Sequence, residues 1–133
     1  MSEATGEKAY ALDASALLCL LFNEPGANLI ETRLSRALVS TVNYHEVLAM
    51  LIDRGIDPNE AKMMLAQLDI EIIAVDRDQA DVGAALRRIT RKAGLSQGDR
   101  CCLALARIRH ATAVTCNRAW SNLGVDIEIE VAC

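Results

Sequence analysis

The chain predicts an α/β fold in which a parallel sheet is covered by helices on both faces. Three observations lead there. Short apolar or β-branched runs alternate with longer helical runs from end to end. Helix stops and caps such as Gly55, Asp57-Pro58 and Gly94 separate them. Hydrophobic residues make up 52% of the 133 positions while only Tyr10, Phe22, Tyr44 and Trp120 are aromatic, so a single aliphatic core is expected.

Taken in order, Lys8 to Leu12 is a short strand ending at Asp13. Ala14 to Phe22 is built of good helix formers and is broken by Asn23-Glu-Pro-Gly26. Asn28 to Ala37 has helical spacing through Leu29, Ile30, Arg33, Leu34 and Ala37. Leu38 to Thr41 reads as a buried strand, and Val42 to Arg54 as a helix stopped at Gly55. Asp57 caps the next helix, with Pro58 at its first position, and it runs to Leu68. Ile70 to Val75 is a strand, and Asp76 to Ala93 a long amphipathic helix ended by Gly94. Ser96 to His110 is a helix, and Thr112 to Thr115 and Asp126 to Val131 are the last strands. Residues 1–8 are expected to be a disordered tail, followed by one domain over residues 9–133.

Several function classes drop out. The apolar run Ala14 to Phe22 is about half the ~20 residues needed to cross a bilayer. The first residues hold two Glu and do not resemble a secretory signal, so a cytoplasmic protein is expected. The few aromatic residues leave no stacking platform for reading bases. No phosphate-loop or dinucleotide-binding glycine string occurs. His45 and His110 lie far from any Ser or Cys motif that would make a triad. The five cysteines are odd in number, form no C-x-x-C pair and include adjacent Cys101 and Cys102. They are expected to be reduced and mostly buried.

The net charge of −4 hides a strong asymmetry. Residues 82–125 carry eight Lys or Arg and one acid, Asp99, for a local +7, whereas the remainder nets −11. Such a basic segment suits a phosphate backbone, although each Arg could equally be a solvated helix residue paired with a distant acid. Arg87, Arg91, Arg100 and Arg118 are the candidates for RNA backbone contact.

Ligands of parallel sheets gather beyond the carboxyl ends of the strands, and polar chemistry appears there. Asp13 ends the first strand, where it is either a helix cap or a ligand. Glu46 has no basic neighbour on its own helix to explain it. Asp99 follows Ser96 by three residues, the spacing of a capping box, a role compatible with facing the same cleft. Converging carboxylates repel, so they imply raised pKa values or a cation between them, and an oxygen-only set suits Mg²⁺ or Mn²⁺.

Four stretches, Ala11-Leu-Asp-Ala-Ser-Ala-Leu17, Val42-Asn-Tyr-His-Glu-Val47, Leu95-Ser-Gln-Gly-Asp-Arg-Cys-Cys-Leu-Ala104 and Val114-Thr-Cys-Asn-Arg-Ala-Trp120, stand in the order and spacing of a known family. The chain resembles PIN-domain ribonucleases, particularly VapC-type toxins of toxin–antitoxin pairs, from about Ala9 to Val131. The resemblance implies a three-layer α/β/α sandwich with a mainly parallel sheet of about five strands. It also implies divalent-metal-dependent endoribonuclease activity leaving 3′-hydroxyl and 5′-phosphate ends, a small antitoxin partner, and a homodimer. Asp13, Glu46 and Asp99 match the first three acidic positions of the family. At the fourth, where Asp is usual, Asn117 stands, which also reads as a turn residue capping the helix before Trp120. Thr115 matches a common Ser or Thr two residues earlier or is a plain β-branched strand residue. On this reading Asp13 and Asp99 ligate the ion, Glu46 holds the ion or its water, Asn117 completes the set weakly, and Thr115 supports it. Asn117 removes one negative charge, which leaves open an alternative: a PIN-like module with weakened or lost catalysis that binds RNA or protein.

Overall fold

A computed structural model of the protein describes residues 8–133. It holds five strands, β1 (Tyr10–Leu12), β2 (Ala37–Ser40), β3 (Ile70–Ile73), β4 (Thr112–Thr115) and β5 (Ile129–Val131). Seven helices connect them: α1 (Ala14–Leu21), α2 (Ala27–Glu31), α3 (Thr41–Asp53), α4 (Pro58–Ala66), α5 (Arg77–Ala85), α6 (Arg87–Thr90) and α7 (Gln97–Arg109). Leu34–Arg36 and Arg118–Asn122 are short 3-10 turns. Every strand pair is parallel, and the sheet order is β3-β2-β1-β4-β5. The expected three-layer α/β/α fold with a parallel five-stranded sheet is therefore the fold observed.

Period-2 alternation in the central strands builds the two cores. Leu12, Val39 and Val114 face one side and pack with Leu17, Ile30, Val47, Leu51 and Leu65 of α1 to α4. Ala11, Leu38 and Ala113 face the other, packing with Leu86, Leu103, Leu105 and Trp120. Small Ala residues on that second face let α7 lie close to the sheet, close enough for the Cys102 thiol to donate to the Ala11 carbonyl at 3.4 Å.

Boundaries shift where capping chemistry wins. Asp13, Ser40, Asp57, Asp76 and Ser96 each accept a hydrogen bond from a backbone N–H in the first turn of the helix that follows. The expected Asn28–Ala37 helix ends at Glu31, and Ala37 joins β2 instead, because pairing with Tyr10 and Ile70 claims its backbone. The expected helix 76–93 is two pieces, broken at Leu86, whose carbonyl also accepts from the Thr90 hydroxyl at 2.9 Å. The last strand is shorter than expected, Ile129–Val131. The tail placed at residues 1–8 lies outside the described residues except for Lys8, which pairs with Glu128.

One expectation about the cysteines is overturned. Cys116 and Cys133 form a disulfide, and Cys19, Cys101 and Cys102 are free. They stand 17 residues apart, but Thr115 and Val131 are register partners on adjacent parallel strands. The chain therefore leaves β4 and β5 side by side, and the two Cα atoms are 4.9 Å apart, inside the range a disulfide spans. No pattern of cysteine spacing carries that register.

Candidate active site

The strand order reverses direction between β1 and β4, both of which sit at the centre of the sheet. In doubly wound sheets, ligands are held beyond the carboxyl ends of the strands at such a point. Asp13 follows β1 directly, and Thr115 is the last residue of β4.

Asp13 is only 2% exposed. Its Oδ1 accepts from the Ala16 N–H at 2.8 Å and the Ser15 hydroxyl at 2.7 Å, and its Oδ2 from the Thr115 hydroxyl at 2.5 Å. Burial pushes its pKa up to about 6, against the downward pull of those three donors, and the nearby Asp99 charge adds a smaller upward push. Asp13 is thus both the helix cap and a buried acid at the carboxyl end of β1. The Thr115 hydroxyl also accepts from the Asn117 N–H at 3.0 Å, so its proton is directed at Asp13. Thr115→Val is expected to cost about 1–3 kcal/mol at pH 7.5, with less loss near pH 4 where Asp13 is neutral. Denaturant melts at the two pH values test this, and an equal loss at both would contradict it.

Glu46 projects from α3, half-buried, and its Oε1 accepts from Asn43 Nδ2 at 2.9 Å. The same amide donates to the Gly98 carbonyl at 3.0 Å, tying α3 to the first turn of α7. The Glu46 carboxylate rests where a side chain at residue 98 would be, which explains why Gly is there. Asp99 closes the capping box of α7: its Oδ2 accepts from Ser96 N–H at 2.9 Å, while its own N–H donates to Ser96 Oγ at 3.2 Å.

The three acids share one neighbour. Cys102 is fully buried beneath them, and after burial itself the charges of Asp13, Asp99, Cys101 and Glu46 all push its thiol upward. The charges of Asp13, Asp99 and Glu46 are thus all felt at one buried thiol, although the three acids do not collapse onto a point. Among the described residues their oxygens do not close into a group within 4.8 Å, as the sulfurs of Cys19, Cys116 and Cys133 do.

Asn117 stands apart. It is exposed, and its Oδ1 accepts from the Ala119 N–H at 3.0 Å, capping the turn that precedes buried Trp120. Arg87, Arg91 and Arg118 are exposed. Arg100 instead packs on α5, with Nη1 donating to the Gly83 carbonyl at 3.4 Å. It lines a cavity of about 190 Å³ together with Val42, Gln79 and Gln97.

Three residues that set the positions of Asp13 and Glu46 were not picked out from the sequence. Ser15 donates to Asp13 and accepts from the Cys116 N–H at 2.9 Å. Asn43 aims Glu46, and Gly98 makes room for it. Their only trace is spacing: Ser15 two residues after Asp13, Asn43 one helical turn before Glu46, and Gly98 beside Asp99.

Comparison with known proteins agrees with this geometry. Residues 10–125 match the PIN domain family. A ribonuclease VapC of Mycolicibacterium smegmatis is 35% identical over 106 residues, covering 73% of this chain and 82% of the relative. Among solved structures, a DNA-bound VapBC of Salmonella typhimurium has a TM-score of 0.74 at 17% identity, over 96% of this chain and 100% of that one. A toxin–antitoxin complex from Klebsiella pneumoniae has a TM-score of 0.69 at 20% identity, over 87% and 93%. At those identities the structures speak for the fold, and the sequence matches speak for the family. The chain belongs to the PIN-domain family of VapC-type ribonucleases.

Proposed function

We propose that this protein is a divalent-metal-dependent endoribonuclease and the toxin half of a toxin–antitoxin pair, working in the cytoplasm as a homodimer that a small antitoxin holds inactive. A single domain over residues 9–133 carries it. What supports the reading is the gathering of Asp13, Asp99 and Glu46 above Cys102 at the sheet's switch point, in a chain 35% identical to a ribonuclease VapC. No helix among the described residues is long and apolar enough to cross a membrane.

The donors are oxygen-only, which fits Mg²⁺ or Mn²⁺. Their spread fits as well, since Mg²⁺ is commonly held by one or two carboxylates and keeps several waters. Asp13 and Asp99 would hold the ion, with Glu46 beside it and Asn117 at most a weak carbonyl donor. When bound, such an ion polarises the phosphodiester and makes water more acidic.

The remaining work falls to the chain. Ser15, Thr115 and the Ala16 N–H fix both oxygens of Asp13. Asn43 holds Glu46 Oε1, leaving Oε2 to take the proton of the attacking water. In-line attack at phosphorus breaks the bond to the 3′ oxygen, which takes a proton from solvent and leaves as a 3′-hydroxyl beside a 5′-phosphate. The guanidinium groups of Arg87, Arg91 and Arg118, with Arg100 at the cavity wall, would hold neighbouring phosphates.

The test is cleavage of RNA with Mg²⁺ or Mn²⁺ and with EDTA, by the wild type, Asp99→Asn and Asn117→Asp. We expect cleavage by the wild type that EDTA abolishes, and a loss on the order of 10²-fold for Asp99→Asn. Asn117→Asp keeps the cap and adds a charge, so it should cleave at least as fast. Equal rates for Asp99→Asn and wild type would overturn the ligand assignment. An inert wild type beside an active Asn117→Asp would mean that this chain is a binding module with lost catalysis.

A further inference from the structure

A second cluster of chemistry lies near Asp13, joined to it through Ser15, and plays no part in the reading above. The sulfur atoms of Cys19 from α1, Cys116 after β4 and Cys133 after β5 lie within 4.8 Å of one another. Cys116 and Cys133 are bonded, and Cys19 Sγ is 3.6 Å from Cys133 Sγ. Their exposure is graded: Cys133 is exposed, Cys116 half-buried and Cys19 1% exposed.

The surroundings keep the three together. Gly26, in a left-handed conformation, lies under the chain after β5. A Cβ there would come within 2.6 Å of the Ala132 carbonyl oxygen and 2.9 Å of Cys133 Sγ. The Cys19 thiol reaches the Pro25 carbonyl at 3.3 Å, in the same turn. Arg33 grips Glu130 with two hydrogen bonds, of 3.0 and 2.7 Å, fixing β5 against the segment after α2. Cys116 lies between Thr115 and Asn117, with its N–H on Ser15 Oγ.

We propose that Cys133, Cys116 and Cys19 form a thiol–disulfide exchange site for low-molecular-weight disulfides, covalently joining the residue after β4 to the segment after β5. In the reduced chain the sulfur of Cys133, the most exposed of the three residues, loses its proton and attacks one sulfur of a small disulfide RSSR. A Cys133–SR bond forms, the S–S bond of the reagent breaks, and one RS⁻ leaves and is protonated. Cys116 then attacks Cys133 Sγ, so the Cys116–Cys133 bond forms and the second RSH departs with the proton of Cys116. Two protein thiols are thereby oxidised by two electrons, and one RSSR is reduced to two RSH. Cys19 can next attack Cys133 Sγ, giving Cys19–Cys133 and returning its proton to Cys116, with no net oxidation. The half-buried Cys101 and fully buried Cys102 are successive residues of α7, whose side chains do not face each other, and stand as internal controls.

The experiment treats the reduced full chain with oxidised glutathione in graded redox buffers, then counts free thiols after denaturation and maps the cross-links by mass spectrometry. Its readout is independent of RNA cleavage, so it stands or falls apart from the nuclease reading. The five free thiols of the reduced chain should fall to three. The map should show Cys116–Cys133 as the main pair and Cys19–Cys133 as a minor one. Cys133→Ser should leave its remaining thiols free, Cys116→Ser should trap glutathione on Cys133 or divert it to Cys19, and Cys19→Ser should lose only the minor pair. Disulfide formation at an unchanged rate in Cys133→Ser, or adducts chiefly on Cys101, would overturn the proposal. So would a wild type that keeps five thiols throughout, or one in which Zn²⁺ bound by the three sulfurs blocks the oxidation.

Discussion

Asp13→Asn is expected to stop RNA cleavage and, at pH 7.5 without divalent metal, to make the fold more stable. Asp13 is a buried acid whose folded pKa, about 6, lies above its ordinary value of 3.8. Between those two values the folded chain binds more protons than the unfolded one. Wild-type stability therefore falls as pH rises from about 4 to about 6, and is level above that. Two pKa units correspond to at most about 3 kcal/mol, and Asn removes that penalty because it carries no charge. Its amide oxygen can keep the bonds from Ala16 and Ser15. Its NH₂ group can donate to Thr115 Oγ, whose proton then turns to Ser15 Oγ, 3.2 Å away. The expected gain is about 1–3 kcal/mol at pH 7.5, fading to nothing near pH 4. Melting curves in EDTA across this range check the sign, and a variant less stable than wild type at pH 7.5 would refute it. Added Mg²⁺ should raise the Tm of the wild type and not that of the variant.

Gly98→Ala should separate stability from activity in a different way. Position 98 lies in the first turn of α7, where Ala is ordinarily the better helix former, by up to roughly 1 kcal/mol. The added methyl would land on the Glu46 carboxylate, the far end of a flexible side chain that can swing aside while the backbone stays put. The fold should survive with little change in Tm. Glu46, however, must leave the position in which Asn43 holds it, and a displacement near 1 Å in a catalytic group costs on the order of 10²-fold. The expected result is a 10- to 100-fold slower cleavage of RNA at saturating metal, roughly the deficit of Glu46→Gln. Gly83→Ala is the matched control: its Cβ would meet α7 at an ordinary 3.6 Å, away from the acids, and should leave activity intact. Full activity in Gly98→Ala would mean that the position of Glu46 does not matter to the chemistry.

Much of this architecture was legible before any coordinates. Strands ending at Asp13 and Thr115, the Ser96–Asp99 capping box and the Asp57-Pro58 helix start are local signals, and local energetics decide them. The misjudged segment 28–37 shows the limit. Its helical spacing is real, but Ala37 gains more from pairing in a buried sheet than from another turn of helix.

Residue order alone determined the alternation that makes a parallel sheet, the two apolar faces of its strands, and which acids stand at the strand ends. Only the folded chain decided that Cys116 meets Cys133 and that Asn43 and Gly98 set the place of Glu46. The reason lies in range. Caps and periodicity act within a few residues, whereas these partners are brought together by strand register and by how closely α3 and α7 approach, terms summed over the whole core.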